Sequence, residues 1–337
     1  MKPDKNETTK TGTENPPPTE QVHMKGDGES PNREAINLIG GRKTRYNTRE
    51  TRPMNITKAN LRTGNWNVQG LNAPGKIDVL INECEQYQLD IVALTELHWP
   101  GQGRSRHGSW EIIHSGPNTS KREKTVGIML SQTAVKSLLS YECVSDRLMV
   151  ARFNCKHVKM TIVVCYAPTN SETRPGDVTN KNEFYEQLDD LVSNIPRHDV
   201  QIVIGDMNAQ VGNDVRTPVL GKHAEGSLNE NGIRLLTFCL AQDLVVGSSL
   251  FAHKKIHKLT WISPDRRTVN QIDHTLISRK WRNSLKDVRV FRGTDVGSDH
   301  NLAVSTIRLS LSALKQKKKQ LRYNATDLLK RKHPQKF

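Results

Sequence analysis

Apolar and polar positions are patterned most clearly between residues 61 and 310. There, short apolar or β-branched runs recur at 110–116, 126–130, 149–153, 160–166, 200–205, 244–248, 259–263, 271–277, 288–291 and 303–309, bounded by Gly, Pro, Asn and Asp. Runs of this make-up between turn formers predict strands. Apolar residues spaced three and four apart predict helices through Ile77, Leu80, Ile81 and Cys84, through Phe184, Leu188, Leu191 and Val192, and through Ile233, Leu236 and Leu240. Three or four helices thus lie among ten or more strands. Strict β-α alternation is absent, so the pattern predicts an α/β protein built as a sandwich of mixed sheets with helices on its outer faces. No internal repeat of about 20 to 50 residues is visible, which argues against solenoids and propellers.

Charge adds a division into zones. The 337 residues carry 50 Lys+Arg against 35 Asp+Glu, a net charge of +15, with a pI near 9.6. Residues 1–60 hold 11 basic and 8 acidic side chains, six of the 15 prolines and little apolar periodicity, and are expected to form a disordered extension. Residues 61–310 have a net charge of only +4 and are expected to be the folded domain. Residues 311–337 carry nine Lys/Arg against Asp327, a basic tail suited to polyanions. Its clusters at 315–319 and 330–332 fit a two-part nuclear import signal or a solvated charge run. The longest apolar stretches fall far short of the ~20 residues that span a bilayer, and the polar start lacks a secretory signal, so no membrane association is expected. Cys84, Cys143, Cys155, Cys165 and Cys239 are odd in number and form no C-x-x-C, which suits a reducing compartment, nuclear or else cytoplasmic.

Four polar clusters end these strand runs: Asn65-Trp66-Asn67, Leu94-Thr95-Glu96, Gly205-Asp206-Met207-Asn208 and Gly297-Ser298-Asp299-His300. The apolar run QIVIGDMN drives into Asp206 and Asn208, and strand alternation would turn both side chains to one face. Oxygen donors from Glu96, Asp299 and Asp206 point to a hard cation, Mg²⁺ or Mn²⁺, and not to zinc. His300 supplies an imidazole that exchanges a proton near neutral pH. Together these are the parts for metal-assisted phosphoester hydrolysis.

The same clusters, in this order, resemble the exonuclease-endonuclease-phosphatase superfamily, the fold of deoxyribonuclease I and the apurinic endonucleases. The resemblance covers about residues 61–310 and is carried by NWNVQGL at 65–71, DIVALTE at 90–96, VVCYAPTN at 163–170, VIGDMNA at 203–209, QIDHTLIS at 271–278 and GSDH at 297–300. Within it, the chain is similar to the endonuclease domain of non-LTR retrotransposons of the RTE or Bov-B type. The resemblance implies a four-layer α/β sandwich, two mixed sheets packed face to face with helices outside. It implies Glu96 as principal metal ligand, Asp299 as second carboxylate at the cation and Asn67 as support for metal and phosphate. His300 would contact the scissile phosphate and help to activate water, oriented by Asp273. Asp206 would handle the proton of water or leaving oxygen, Asn208 would act as transition-state donor and Tyr166 would bind phosphate. Apurinic endonucleases have a carboxylate where this chain has Gln69, which shifts metal affinity and substrate choice.

The reading that follows is a Mg²⁺-dependent phosphodiesterase, an endonuclease that nicks DNA to leave a 3′-hydroxyl, acting as a monomer with no obligate protein partner. Arg104 and Arg106, in a Gly-rich loop, and Lys317, Lys318 and Lys319 in the tail are candidates for gripping the DNA backbone. The alternatives are a phosphatase of inositol phosphates or an RNA 3′ exonuclease of the same fold, and a catalytically silent nucleic-acid-binding relic. His253 and His257 have half the spacing of a zinc site but no cysteine pair, and are expected in a basic loop. No Tyr-x-Asp-Asp string occurs, so reverse transcriptase chemistry is not encoded in these residues.

Overall fold

The computed structural model describes residues 34–39, 42–47, 50–119, 124–170 and 176–309. In chain order the first half holds β1 (Glu34–Ile39), β2 (Arg42–Asn47), β3 (Leu61–Asn67), α1 (Lys76–Gln86), β4 (Ile91–Thr95), β5 (Gln102–His107), β6 (Trp110–Ser115), β7 (Val126–Leu130) and α2 (Gln132–Ser137). There follow β8 (Leu138–Cys143), β9 (Leu148–Cys155), β10 (Val158–Tyr166), α3 (Asp177–Ser193), β11 (Val200–Asp206), α4 (Glu230–Ala241) and β12 (Leu244–Val246). The chain closes with β13 (Trp261–Ile262), β14 (Val269–Asn270), β15 (Asp273–Ser278), β16 (Leu285–Phe291) and β17 (Leu302–Ile307).

Two sheets carry the fold, an eight-stranded one ordered β1-β2-β8-β9-β10-β11-β15-β12 and a seven-stranded one ordered β16-β17-β3-β4-β7-β6-β5. Strand alternation explains why they stack. In β4, Ile91 and Ala93 enter one core while Val92 and Leu94 enter another. In β10, Ile162 and Val164 join the first core while Val163 and Cys165 join a third. The shared core therefore lies between the sheets, and each outer face takes helices. Leu80 and Cys84 of α1 cover the seven-stranded sheet, while Phe184, Leu188 and Leu191 of α3 and Leu235 and Cys239 of α4 cover the other. This is the expected four-layer α/β sandwich.

Most pairs are antiparallel, but each sheet has one parallel pair at its centre joined through a helix: β3 with β4 across α1, and β10 with β11 across α3. Ligands of open α/β sheets bind beyond the carboxyl ends of such strands. Those ends hold Asn67, Thr95, Tyr166 and Asp206. The antiparallel partner β15 begins at the same level, with Asp273 opposite Asp206.

Several expectations need correction. Residues 34–60 were assigned to the extension, yet β1 and β2 form a hairpin on β8, and Met54 and Ile56 are buried in the central core. The polar make-up of β2, RKTRYN, and the single short apolar run in β1 leave little periodicity to mark them. The Gly-rich stretch 101–108, expected as a loop, contains β5. Helix α4 occurs where expected but is turned: Ile233 and Leu240 are exposed, while Leu235 and Phe238 are buried. Apolar residues on nearly every side of α4 leave its buried face undecided by periodicity. Residues 311–337 and the extension before Glu34 lie outside the described residues. All five cysteines are free, and among the described residues no helix is long and apolar enough to cross a membrane.

Candidate active site

The strand ends converge on one hydrogen-bonded network. Asn67, buried at the end of β3, donates through Nδ2 to Glu96 Oε1 at 2.8 Å and to Asp206 Oδ2 at 3.2 Å, which joins the two sheets. Its Oδ1 accepts from the Gln69 amide at 3.2 Å. Asn67 thus braces two carboxylates, and its Oδ1 keeps a second lone pair beyond the bond from Gln69. The Tyr166 hydroxyl donates to Glu96 Oε1 at 2.8 Å. Burial, and then the charges of Glu96 and Asp206, push this phenol well above its usual range.

A second arm runs through His300. Its Nδ1–H donates to Asp273 Oδ2 at 2.9 Å, which fixes the tautomer and leaves Nε2 3.9 Å from Asp206 Oδ2 and 3.7 Å from Asp299 Oδ1. Burial alone would lower the imidazolium pKa, but Asp273, followed by Asp206 and Asp299, outweighs it and raises the group to about 9. Burial and the Asp273 charge raise the Asp206 carboxyl far above the usual carboxylate range, against His300 and hydrogen bonds from Asn208 and Asn67. The neighbouring His274 points elsewhere. It is held between the Ser248 hydroxyl and the Ala209 carbonyl, each at 2.8 Å, and burial pushes it down.

Glu96, Tyr166, Asp206, Asn208 and His300 line one cleft of about 370 Å³. These include four of the five expected catalytic residues, and the fifth, Asp273, joins them through its hydrogen bond to His300. Asn208 arrives differently from expectation: β11 stops at Asp206, and Asn208 lies past it at φ 46°, tied back by its own amide N–H to Asp206 Oδ1 at 2.9 Å. A turn, and not strand alternation, sets its place, and its side-chain amide donates to the Ala167 carbonyl at 2.9 Å. Gln69, Glu96 and His98 also adopt left-handed backbone, at φ 44°, 55° and 62°. Such conformations in non-glycine residues cost roughly 1–3 kcal/mol each and concentrate at functional sites.

Two supporting residues, Trp261 and Arg147, carried no signal in the sequence, and Gln69, marked there only as a departure from the apurinic endonucleases, has a partner in the site as well. Trp261 Nε1 donates to Asp299 Oδ2 at 2.9 Å, and Gln69 Oε1 accepts from the Asp299 amide at 3.2 Å. Arg147 donates to the Tyr166 carbonyl at 2.9 Å and lies 5.0 Å over the Tyr166 ring. These contacts link residues far apart in the chain, where local pattern is silent. Arg104 and Arg106 stand apart, on edge strand β5: Arg104 pairs with Glu111 at 2.6 Å, and Arg106 donates to the Gly108 carbonyl at 3.2 Å. His253 and His257 take separate partners, Asp287 and Arg289. Lys317, Lys318 and Lys319 lie outside the described residues.

The donor set can be tested for a cation. Asp299 Oδ1 is buried and has no hydrogen-bond partner. An orphaned buried carboxylate oxygen is costly unless a cation or water meets it. Asp206, Asp273 and His300 also present ligand atoms within 4.8 Å of one another. The 2.9 Å contact already holds a proton between His300 and Asp273, and the carboxylates of Glu96 and Asp299 have the oxygen chemistry that suits a hard divalent ion.

The sequence profile of the Endonuclease/Exonuclease/phosphatase family matches residues 64–300, a span that runs from the residue before Asn65 to His300 itself. The chain belongs to this family. Craniofacial development protein 2 of Bos taurus is 34% identical over 251 residues, covering 74% of this chain and 41% of that protein. The chain therefore spans less than half the length of that curated relative. The solved endonuclease domain of TRAS1, a telomere-specific non-LTR retrotransposon, is similar with a TM-score of 0.53 and 15% identity, over 74% of this chain and 99% of that domain. The Xenopus laevis APE2 catalytic domain gives a TM-score of 0.59 at 15% identity, over 74% of this chain and 92% of that one. At such identities the two structures establish a shared sandwich fold. Members of this family are nucleases and phosphatases that generally use a divalent metal.

Proposed function

We propose that the protein is a Mg²⁺-dependent DNA endonuclease that nicks one strand and leaves a 3′-hydroxyl. The observation that carries this reading is the buried Asp273–His300–Asp206 relay opening into the same cleft as the Glu96–Asn67–Tyr166 brace. The likeness to a retrotransposon endonuclease domain supports DNA as the substrate.

A divalent cation held by Glu96 and Asp299 would polarise the scissile phosphate and offset charge on the leaving oxygen. The protein's own groups do the rest. With its pKa raised to about 9, His300 is an imidazolium at neutral pH, and its Nε2–H donates to a non-bridging phosphate oxygen. It acts as a fixed positive donor, with Asp273 holding the ring. Asp206, poised by burial close to neutrality, takes the proton of the attacking water. Water adds to phosphorus as the bond to O3′ breaks, and the departing O3′ takes up a proton, matching the one left on Asp206, through solvent in the cleft, giving a 5′-phosphate and a 3′-hydroxyl. Asn208, whose side-chain amide keeps one N–H beyond its bond to Ala167, presents a donor to the charge that builds on the phosphoryl oxygens, while the Tyr166 hydroxyl holds Glu96 in place.

Nicking of supercoiled plasmid tests this reading. Wild type should nick with Mg²⁺ and not with EDTA, a polymerase should extend the nick directly, and His300→Ala should lose about 10³-fold or more in rate. Plasmid binding without cutting under any divalent ion would sink the proposal, as would phosphate release from a small phosphomonoester in its place.

A further inference from the structure

The catalytic cleft continues past Asp206 and His300 into a wall of neutral amides. Asn170, Gln210, Asn229 and Asn270 line it there, and no Lys or Arg is among its lining residues. The fold sets three of these amides in place. Asn229 caps α4: its Oδ1 accepts from the Gly232 amide at 2.7 Å and from the Gln210 amide at 3.0 Å. Both lone pairs are taken, so the side chain has only its two N–H donors left to offer. Gln210 is held beside it, because the Asn229 backbone amide donates to the Gln210 carbonyl at 3.1 Å. A Cβ on Gly226, left-handed at φ 83°, would come 3.0 Å from Gln210 Oε1, so the glycine leaves that side chain its space. Asn270 ends β14 opposite Trp261, two residues before Ile272, whose carbonyl accepts from the Met207 amide just past β11. The side-chain amides of Gln210 and Asn270 are half-buried and have no hydrogen-bond partner among the described residues.

We propose that this part of the cleft binds the unpaired base of one nucleotide of the cut strand, its edge read by Gln210 and Asn270, so that the protein selects a base-bearing site over an abasic one. The inference rests on the endonuclease reading above and names the substrate feature recognised beside the scissile phosphate. A side-chain amide presents a donor and an acceptor side by side, which matches a base edge and adenine in particular. Gripping further phosphates would call for cations, and this wall has none. Trp261 and Ile272 add apolar surface against which a ring can lie. A cleft of about 370 Å³ falls in the range of roughly 300–1,000 Å³ that small ligands occupy. A base enters such a cleft only by leaving the stack, and that costs least where it is mismatched.

The test is binding of the full chain, in EDTA to prevent cutting, to short labelled duplexes that differ at one central position: a paired adenine, a mismatched adenine or an abasic sugar. Fluorescence anisotropy gives the affinities. Wild type should bind the mismatched duplex about tenfold more tightly than either of the others. Gln210→Met and Asn270→Leu keep the bulk and remove the amide. Each should reduce the preference for the mismatched over the abasic duplex, and the double variant should abolish it, with thermal melts to confirm folding. An abasic duplex bound as tightly as the mismatched one, or a preference that survives in the double variant, overturns the inference. Plasmid nicking by the same wild-type protein keeps the two readings apart. Nicking without base preference overturns this inference alone, whereas base preference without nicking under any divalent ion upholds the base site and overturns the endonuclease reading.

Discussion

Gly205 shows how closely single atoms are fitted where the two sheets meet at the site. Its carbonyl accepts from Asn65 Nδ2 at 2.9 Å across the sheets, and a Cβ at this position would fall on the Cys165 carbonyl oxygen of the adjoining strand. Relief would require separating β10 from β11 just where Tyr166 and Asp206 must stay in register. Gly108 is a useful contrast, left-handed at φ 59° but with open space around its missing Cβ. Gly108→Ala should cost about 1 kcal/mol for backbone strain alone. Gly205→Ala should cost about 3 kcal/mol or more, because backbone has to move in a packed sheet. Urea midpoints of the two variants check this, and equal losses would mean that the sheets give way easily at this point.

Among the elements, the end of β10 depends on a residue from the start of β9. Arg147 donates to the Tyr166 carbonyl and covers its ring, while the Tyr166 amide donates to the Arg147 carbonyl at 2.9 Å. Arg147 is thus a positioning residue for the Tyr166 hydroxyl on Glu96. Arg147→Met should slow nicking about 10- to 100-fold with little change in KM, and Arg147→Lys should restore part of that loss, since charge without the planar fork holds the strand end less well. A drop in thermal stability with unchanged kcat would assign Arg147 to folding alone. Legibility in the sequence divides along the same line. The apolar runs in DIVALTE and QIVIG showed the strands and the carboxylates at their ends, because each of those facts lies within a few residues. Nothing local marked Trp261 against Asp299 or Arg147 against Tyr166, since each depends on a partner the fold supplies. Asn208 was assigned to the right cleft through a strand that in fact ends two residues earlier. Strands β2 and β5 went unread because RKTRYN and QGRSRH are polar, and β1 because its short apolar run lies in a polar stretch of sequence.

For the molecule as a whole, the relay should make stability depend on pH with a defined sign. His300 is raised from an unfolded value near 6.5 to about 9, so the folded state holds its proton more tightly. That contribution is complete below pH ~6.5 and is lost as pH rises through ~9. Asp206 is also raised, above an unfolded value of 3.8, so its contribution likewise fades with rising pH, but from a more acidic starting point. Both groups therefore act in one direction, opposite to the usual paired carboxylate. In EDTA, the stability of wild type relative to His300→Gln should decline between pH 6.5 and 9.5, by up to about 3 kcal/mol, while the common background of exposed groups cancels in the difference. Urea denaturation of both proteins across that range measures it. A difference that stays flat would mean that His300 is neutral in the folded protein, and the imidazolium would then have to be replaced by a base in the account of catalysis. A difference that grows with pH would mean that Asp273 does not hold the proton on Nδ1 at all.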